Sequence, residues 1–183
     1  MSEDFIEKII PKIKITKKIE QNSYLFYQND AVCSVYIVDA GLVELTRNLH
    51  DGTSIVLQRA GDRTILAEAS VYSQIYHCDA FAKYSSTVFV LPKATFLKFL
   101  RDDEELSLMW GKKLAQEIQS TRNRLEILSR HTVSDRLDGW LVLNDSEMPL
   151  KGEWKSIASQ IGVSPESLYR ELAKRRKNAK NLT

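Results

Sequence analysis

"ASQIGVSPESLYRELAKRRK", residues 158–177, decides how the rest of the chain is read. Ala158 is small enough for two helices to cross closely. Gly162, a little further on, suits the left-handed conformation of a tight interhelical turn. Ser164 is a favoured N-cap, and Pro165 is a first helical residue that gives up no needed donor. Ile157, Ile161, Val163, Leu168 and Leu172 supply apolar contacts between the two helices. The spacing predicts a helix-turn-helix whose second helix starts sharply at Pro165. That helix then turns basic through Arg170, Lys174, Arg175, Arg176 and Lys177.

A sharply defined start is what a helix needs when its first turn approaches base edges. Glu166, Ser167, Tyr169 and Arg170 are expected on its exposed side. An arginine can donate a bidentate pair to guanine O6 and N7, and a glutamate can accept from cytosine N4. Ser164, Ser167, Tyr169 and Lys174 suit phosphate contacts that set register. With Pro165 in the leading turn, these residues form an expected interface with double-stranded DNA. The plain alternative is a solvated basic helix. The joint register of small residue, glycine, cap and proline argues against it.

The 183 residues suit a medium domain plus a small one. Apolar content of 43% and charged content of 27% are ordinary for a globular protein. The net charge of +2 does not itself indicate nucleic acid, but the basic excess is concentrated after Arg170. Residues 1–20 mix charge with Ile and Phe and lack the apolar core of a signal peptide. No run approaches the roughly 20 apolar residues that span a bilayer, so a cytoplasmic protein without a membrane partner is expected. Cys33 and Cys78 are too few for a disulfide framework and lack CxxC spacing. An iron–sulfur cluster would need about four thiolates.

Along the chain, residues 2–10 read as a short amphipathic helix ended by Pro11. From Ile13 to Val90 the pattern becomes short runs rich in Val, Ile, Tyr, Phe and Thr: "SYLFYQ", "SVYIVDAGLVELTR", "TSIVLQRAGD" and "STVFVLP". Turn signals at Asn29-Asp30, Ala40-Gly41, Asp51-Gly52 and Gly61-Asp62 separate them, which predicts an antiparallel sandwich or barrel. Asp51-Gly52 marks a hairpin. After Pro92 the period turns helical. "KATFLKFL" is a short helix, and Asp102-Asp103 caps a longer one. In the longer helix Leu114, Ile118, Thr121, Leu125 and Leu128 form a 4-3-4-3 seam flanked by charge. A narrow apolar stripe on a polar helix predicts pairing with a second copy, as a two-fold homodimer. Ser134 is the expected cap of a helix with Leu137, Trp140, Leu141 and Leu143 on its apolar side, and "DSEMPLKGEW" links it to the last pair. The plan is α+β. Residues 1–101 form an antiparallel β-rich domain, 102–130 a long dimerisation helix, and 131–183 a small helical domain with the helix-turn-helix.

"VYIVDAGLVEL", the "DG" hairpin, "AGD" before Thr64, the seam helix and "IGVSPESLYR" together resemble the Crp–Fnr superfamily of bacterial transcription regulators, related to the cyclic-AMP receptor protein. The resemblance covers nearly the whole chain. It implies a β-roll of the cyclic-nucleotide-binding jelly-roll type, a dimerising helix, a winged helix-turn-helix whose wing is short or absent here, and RNA polymerase as a further partner. It assigns base reading to Glu166 and Arg170, while Pro165 replaces a residue that is often Arg in that family.

The resemblance also places a ligand pocket at "ILAEASVYSQIYHCDA". Nucleotide-binding members carry Gly-Glu at the start of a phosphate cassette and then an Arg-Ser or Arg-Thr pair. Here Glu68 is present, Ala67 replaces the glycine, and Tyr76-His77 replace the pair. Tyrosine cannot substitute for a guanidinium fork against a cyclic phosphate. No Arg or Lys lies between Leu66 and Ala82. Thr121, with Arg122 beside it, matches a seam-helix position that touches the base in nucleotide-binding relatives. Glu68, Tyr76, His77, Thr121 and Arg122 therefore outline a degenerate pocket, without cyclic-AMP sensing of the usual kind. The effector is an unknown small molecule, or there is none. Haem is disfavoured, because adjacent strand residues such as His77 and Cys78 point to opposite faces. No metal or cofactor is expected.

The alternative is a ligand- or protein-binding signalling module without sequence-specific DNA binding. An enzyme is not expected. His50, His77 and His131 lack partners at catalytic spacings, and no nucleophile set or phosphate loop stands out.

Overall fold

Two antiparallel four-stranded sheets carry the first part of the chain in the computed structural model, which describes residues 4–144 and 150–180. The strands are β1 (Ile15–Ile19), β2 (Tyr24–Phe26), β3 (Ser34–Ala40), β4 (Val43–Asn48), β5 (Ser54–Ala60), β6 (Ile65–Leu66), β7 (Asp79–Ala82) and β8 (Ser86–Pro92). Their orders are β1-β8-β3-β6 and β2-β7-β4-β5. Period-two alternation sends Tyr36, Val38 and Val88 from one sheet, and Val43, Leu45, Ala80 and Ala82 from the other, into a shared core. β3 is buried along most of its length because Val35 and Ile37 are covered as well.

The turns sit where the sequence marks them. β4 and β5 form a hairpin closing at Asp51-Gly52, with Gly52 at φ 83 and Asp51 Oδ1 accepting from Thr53 N at 2.9 Å. Gly41, at φ 101, turns β3 into β4 so close to β8 that an added Cβ would lie 2.4 Å from Ser86 Oγ.

Helix α1 (Phe5–Ile9) is shorter than the sequence suggested, and a 3₁₀ turn (Ile10–Lys12) carries Pro11. Helix α2 (Lys93–Asp102) packs on β3 and β8. Asp103 then caps the long α3 (Glu104–Ser129), its Oδ1 accepting from Leu106 N at 3.0 Å. Phe5, Phe96 and Trp110 interlock as an aromatic cluster, with ring centroids 5.0–6.3 Å apart. Lys8 and Lys12 both reach Asp103, which fastens α1 to the start of α3.

The chain divides into two compact units, Met1–Lys113 and Leu114–Thr183, so the division falls inside α3. The second unit adds α4 (Val133–Leu143), a 3₁₀ turn (Lys151–Glu153), α5 (Trp154–Gln160) and α6 (Pro165–Lys180). Ile127, Leu137, Trp154, Ile157, Ala158, Ile161, Leu168 and Leu172 make its core. The cap of α4 is Thr132, whose Oγ1 accepts from Asp135 N at 3.0 Å, and not Ser134. Leu143 is 46% exposed and stands outside the apolar face expected for it. Of the linker before the last helices, residues 145–149 lie outside the described residues.

Candidate nucleic-acid interface

The turn between α5 and α6 is built as its residues require. Gly162 has φ 65, and a Cβ there would lie 2.6 Å from Leu128 Cδ2, so both conformation and space call for glycine. Ser164 caps α6, its Oγ accepting from Ser167 N at 3.2 Å and donating to Ser167 Oγ at 3.0 Å. Pro165 follows as the first helical residue. Ala158, Ile161, Leu168 and Leu172 are all at most 1% exposed, so α5 and α6 share one dry contact.

This packing sorts the charges of α6. Glu166, Arg170, Lys174 and Lys177 are exposed, at spacings that hold them on one face of the helix. Among the described residues, neither the Glu166 nor the Arg170 side chain takes part in a hydrogen bond or ion pair. Arg175, grouped with the other basic residues by sequence, is turned inward. Its Nη1 donates to Asp138 Oδ1 at 2.6 Å, its Nε to Glu171 Oε1 at 2.9 Å, and its Nη2 to Ser134 Oγ at 2.9 Å. Arg176 lies over the Trp154 ring at 4.8 Å. Tyr169, expected on the exposed side, is half-buried, with its ring centroid 5.4 Å from that of Trp154. Ser164 and Ser167 spend their hydroxyls on the cap.

On α3, Ile118 and Leu125 are 52% and 66% exposed, Thr121 and Arg122 are exposed, and Leu114 and Leu128 are half-buried. Leu128, counted in the seam, also packs against Gly162.

The cassette region lies in the first unit, apart from Thr121 and Arg122 in the second. Ala67 adopts φ 69, ψ 15, a left-handed conformation that suits glycine, and leads into a 3₁₀ turn (Glu68–Ser70). Glu68 is half-buried. Tyr76, expected in the pocket, is packed in the core of the first unit. It is 2% exposed and stacks on Phe26 at 3.8 Å, and its hydroxyl donates to Ser34 O at 2.8 Å and accepts from Ser34 N at 3.3 Å. His77 and Cys78 precede β7 and are not strand residues, yet the first is exposed and the second buried. His77 Nδ1 lies 2.9 Å from Ser70 Oγ, and burial followed by the Arg47 charge holds its pKa below the ordinary value. Burial pushes the Cys78 thiol up to about 11, which excludes an activated thiolate near neutrality.

Scanning residues 67–81 for a cation misses the one that the fold delivers. Arg47 on β4 reaches this region, its Nη2 donating to His77 O at 2.8 Å, while its buried Nε has no hydrogen-bond partner. The residues present therefore do not form the usual phosphate cassette: the tyrosine is core, and the guanidinium comes from another strand. Among the described residues, no group of three or more metal-ligating side chains is present, and no helix is long and apolar enough to cross a membrane.

Residues 16–103 match the family model described as the cyclic nucleotide-binding domain. The chain is 23% identical over 173 residues to the global nitrogen regulator of Nostoc sp., spanning 86% of this chain and 77% of that one. The chain is thus similar to regulators of the Crp–Fnr type, and residues 16–103 to a cyclic nucleotide-binding domain. A second relative, the anaerobic regulatory protein of Bacillus subtilis, is 22% identical over 72% of this chain, which spans 56% of that relative's length. The fold matches the structure of FixK2 from Bradyrhizobium japonicum, with a TM-score of 0.68 at 16% identity, over 90% of this chain and 85% of that one. Both relatives are named as regulators.

Proposed function

We propose that this protein is a homodimeric, sequence-specific DNA-binding regulator of the Crp–Fnr type that does not respond to cyclic AMP. The observation that carries the reading is the division of labour on α6. Arg175 is turned inward onto Asp138 and Arg176 rests on the Trp154 ring, while Glu166, Arg170 and Lys174 stay exposed on one face of a sharply capped helix. Arg170 and Glu166 read base edges, and Lys174 meets phosphate. The exposed Ile118 and Leu125 on α3 pair with the same residues of a second copy. Two α6 helices then enter successive major-groove faces about one helical turn apart.

Tyr76 in the core and Ala67 at the glycine position argue against cyclic AMP as the effector. Selection from a random duplex library, with and without cyclic AMP, tests both statements. A near-palindromic motif enriched equally in the two arms is the expected result. Enrichment only with cyclic AMP overturns the reading of the pocket, and no motif in either arm overturns DNA recognition.

A further inference from the structure

Arg136 lies in the first turn of α4, where the helix dipole disfavours a cation, and its guanidinium is turned onto backbone carbonyls instead. Nε donates to Arg130 O at 2.8 Å and Nη2 to Leu128 O at 3.0 Å, both at the C-terminal end of α3. Nη1 donates to Gly162 O at 2.9 Å and Ile161 O at 3.2 Å, in the turn between α5 and α6. The final carbonyls of a helix lack intrahelical partners and carry partial negative charge, so one guanidinium serves two helix ends at once. Among the described residues, no carboxylate pairs with Arg136.

The seam residues of α3 and the helix pair belong to the same compact unit. From this geometry we propose that Arg136 is a positioning residue: by tying the end of α3 to the turn that launches α6, it sets the separation of the two α6 helices in the dimer and hence the half-site spacing that the protein accepts. The proposal rests on the DNA-binding reading above. Lysine keeps the charge, but its ammonium lacks the planar fork that spans both helix ends.

The test selects from a library of paired half-sites with variable spacers, using the full chain, Arg136→Lys and Arg136→Gln. The unsubstituted protein is expected to enrich one spacing. The variants should enrich the same half-site at several spacings, with affinity for the best site lowered about tenfold to a hundredfold as the bivalent geometry loosens. Binding to a single half-site should be unchanged. Variants that keep one spacing at full affinity, or that lose the half-site motif, overturn the proposal. If the unsubstituted protein enriches no motif, DNA reading itself fails. The free dimer then decides on Arg136, through the distance distribution between spin labels at Asn178→Cys in a Cys33→Ser background. A broader distribution in the variants upholds the tie, and equal widths overturn it. Where Arg136→Gln does not fold, Arg136→Lys carries each comparison.

Discussion

Arg170 and Arg175 lie on one helix and do opposite work: the first is exposed, and the second clamps α6 to α4 through Asp138 and Ser134. Arg170→Ala should lower specific affinity by about 1–3 kcal/mol and relax preference at one base per half-site, measured by binding titrations on single-base variants. Lys174→Ala should weaken all duplexes alike and reduce the salt slope by about 1. Arg175→Ala should instead destabilise the second unit by about 1–3 kcal/mol in urea unfolding, because charged hydrogen bonds are lost. Ala67 is the other diagnostic residue. Replacing it with glycine relieves a left-handed backbone but removes a buried methyl, so Ala67→Gly should stay within about 1 kcal/mol of neutral. The β-branched Ala67→Val should cost more than about 2 kcal/mol, by the same urea measurement. Ser164, Pro165 and Gly162 were legible in the sequence because capping and positive φ are local needs. The fates of Arg175, Arg176 and Tyr76 were not, because each depends on partners distant in the chain. Arg47 was missed for the same reason.

At the scale of elements, α3 is the part whose pattern was clearest, since its apolar spacing needs no tertiary information. The spacing does not say that Leu128 would also pack against Gly162. Leu125→Glu places a charge on the exposed stripe and should shift the proposed dimer to monomer in sedimentation, with its helical circular dichroism unchanged. The start of α3 makes a separate prediction. The Leu106 N–H and then the Lys12 ammonium hold the Asp103 carboxyl at about 2, below its ordinary 3.8. Because the folded pKa is the lower one, the stabilisation is complete above the unfolded value and is lost as pH falls toward about 2. Asp103→Asn should therefore flatten the dependence of unfolding on pH in that interval. The strands were legible as a class from alternation and turn residues. The two-residue β6 carries too little sequence to show a period.

For the molecule as a whole, the order of β-roll, long helix and terminal helix pair followed from the change of hydrophobic period near Pro92, and the structure has that order. The division of the chain inside α3 was not foreseeable, because one unbroken helix offers no composition shift to mark it. Acid should therefore act unevenly along the chain. The anchor of α1 on α3 depends on a carboxylate, and so does the Arg175 clamp. The joint made by Arg136 contains no carboxylate: its guanidinium donates only to peptide oxygens. In the proposed dimer, the accepted half-site spacing is therefore set at a joint that holds no acid group, unlike the Arg175 clamp in the same unit.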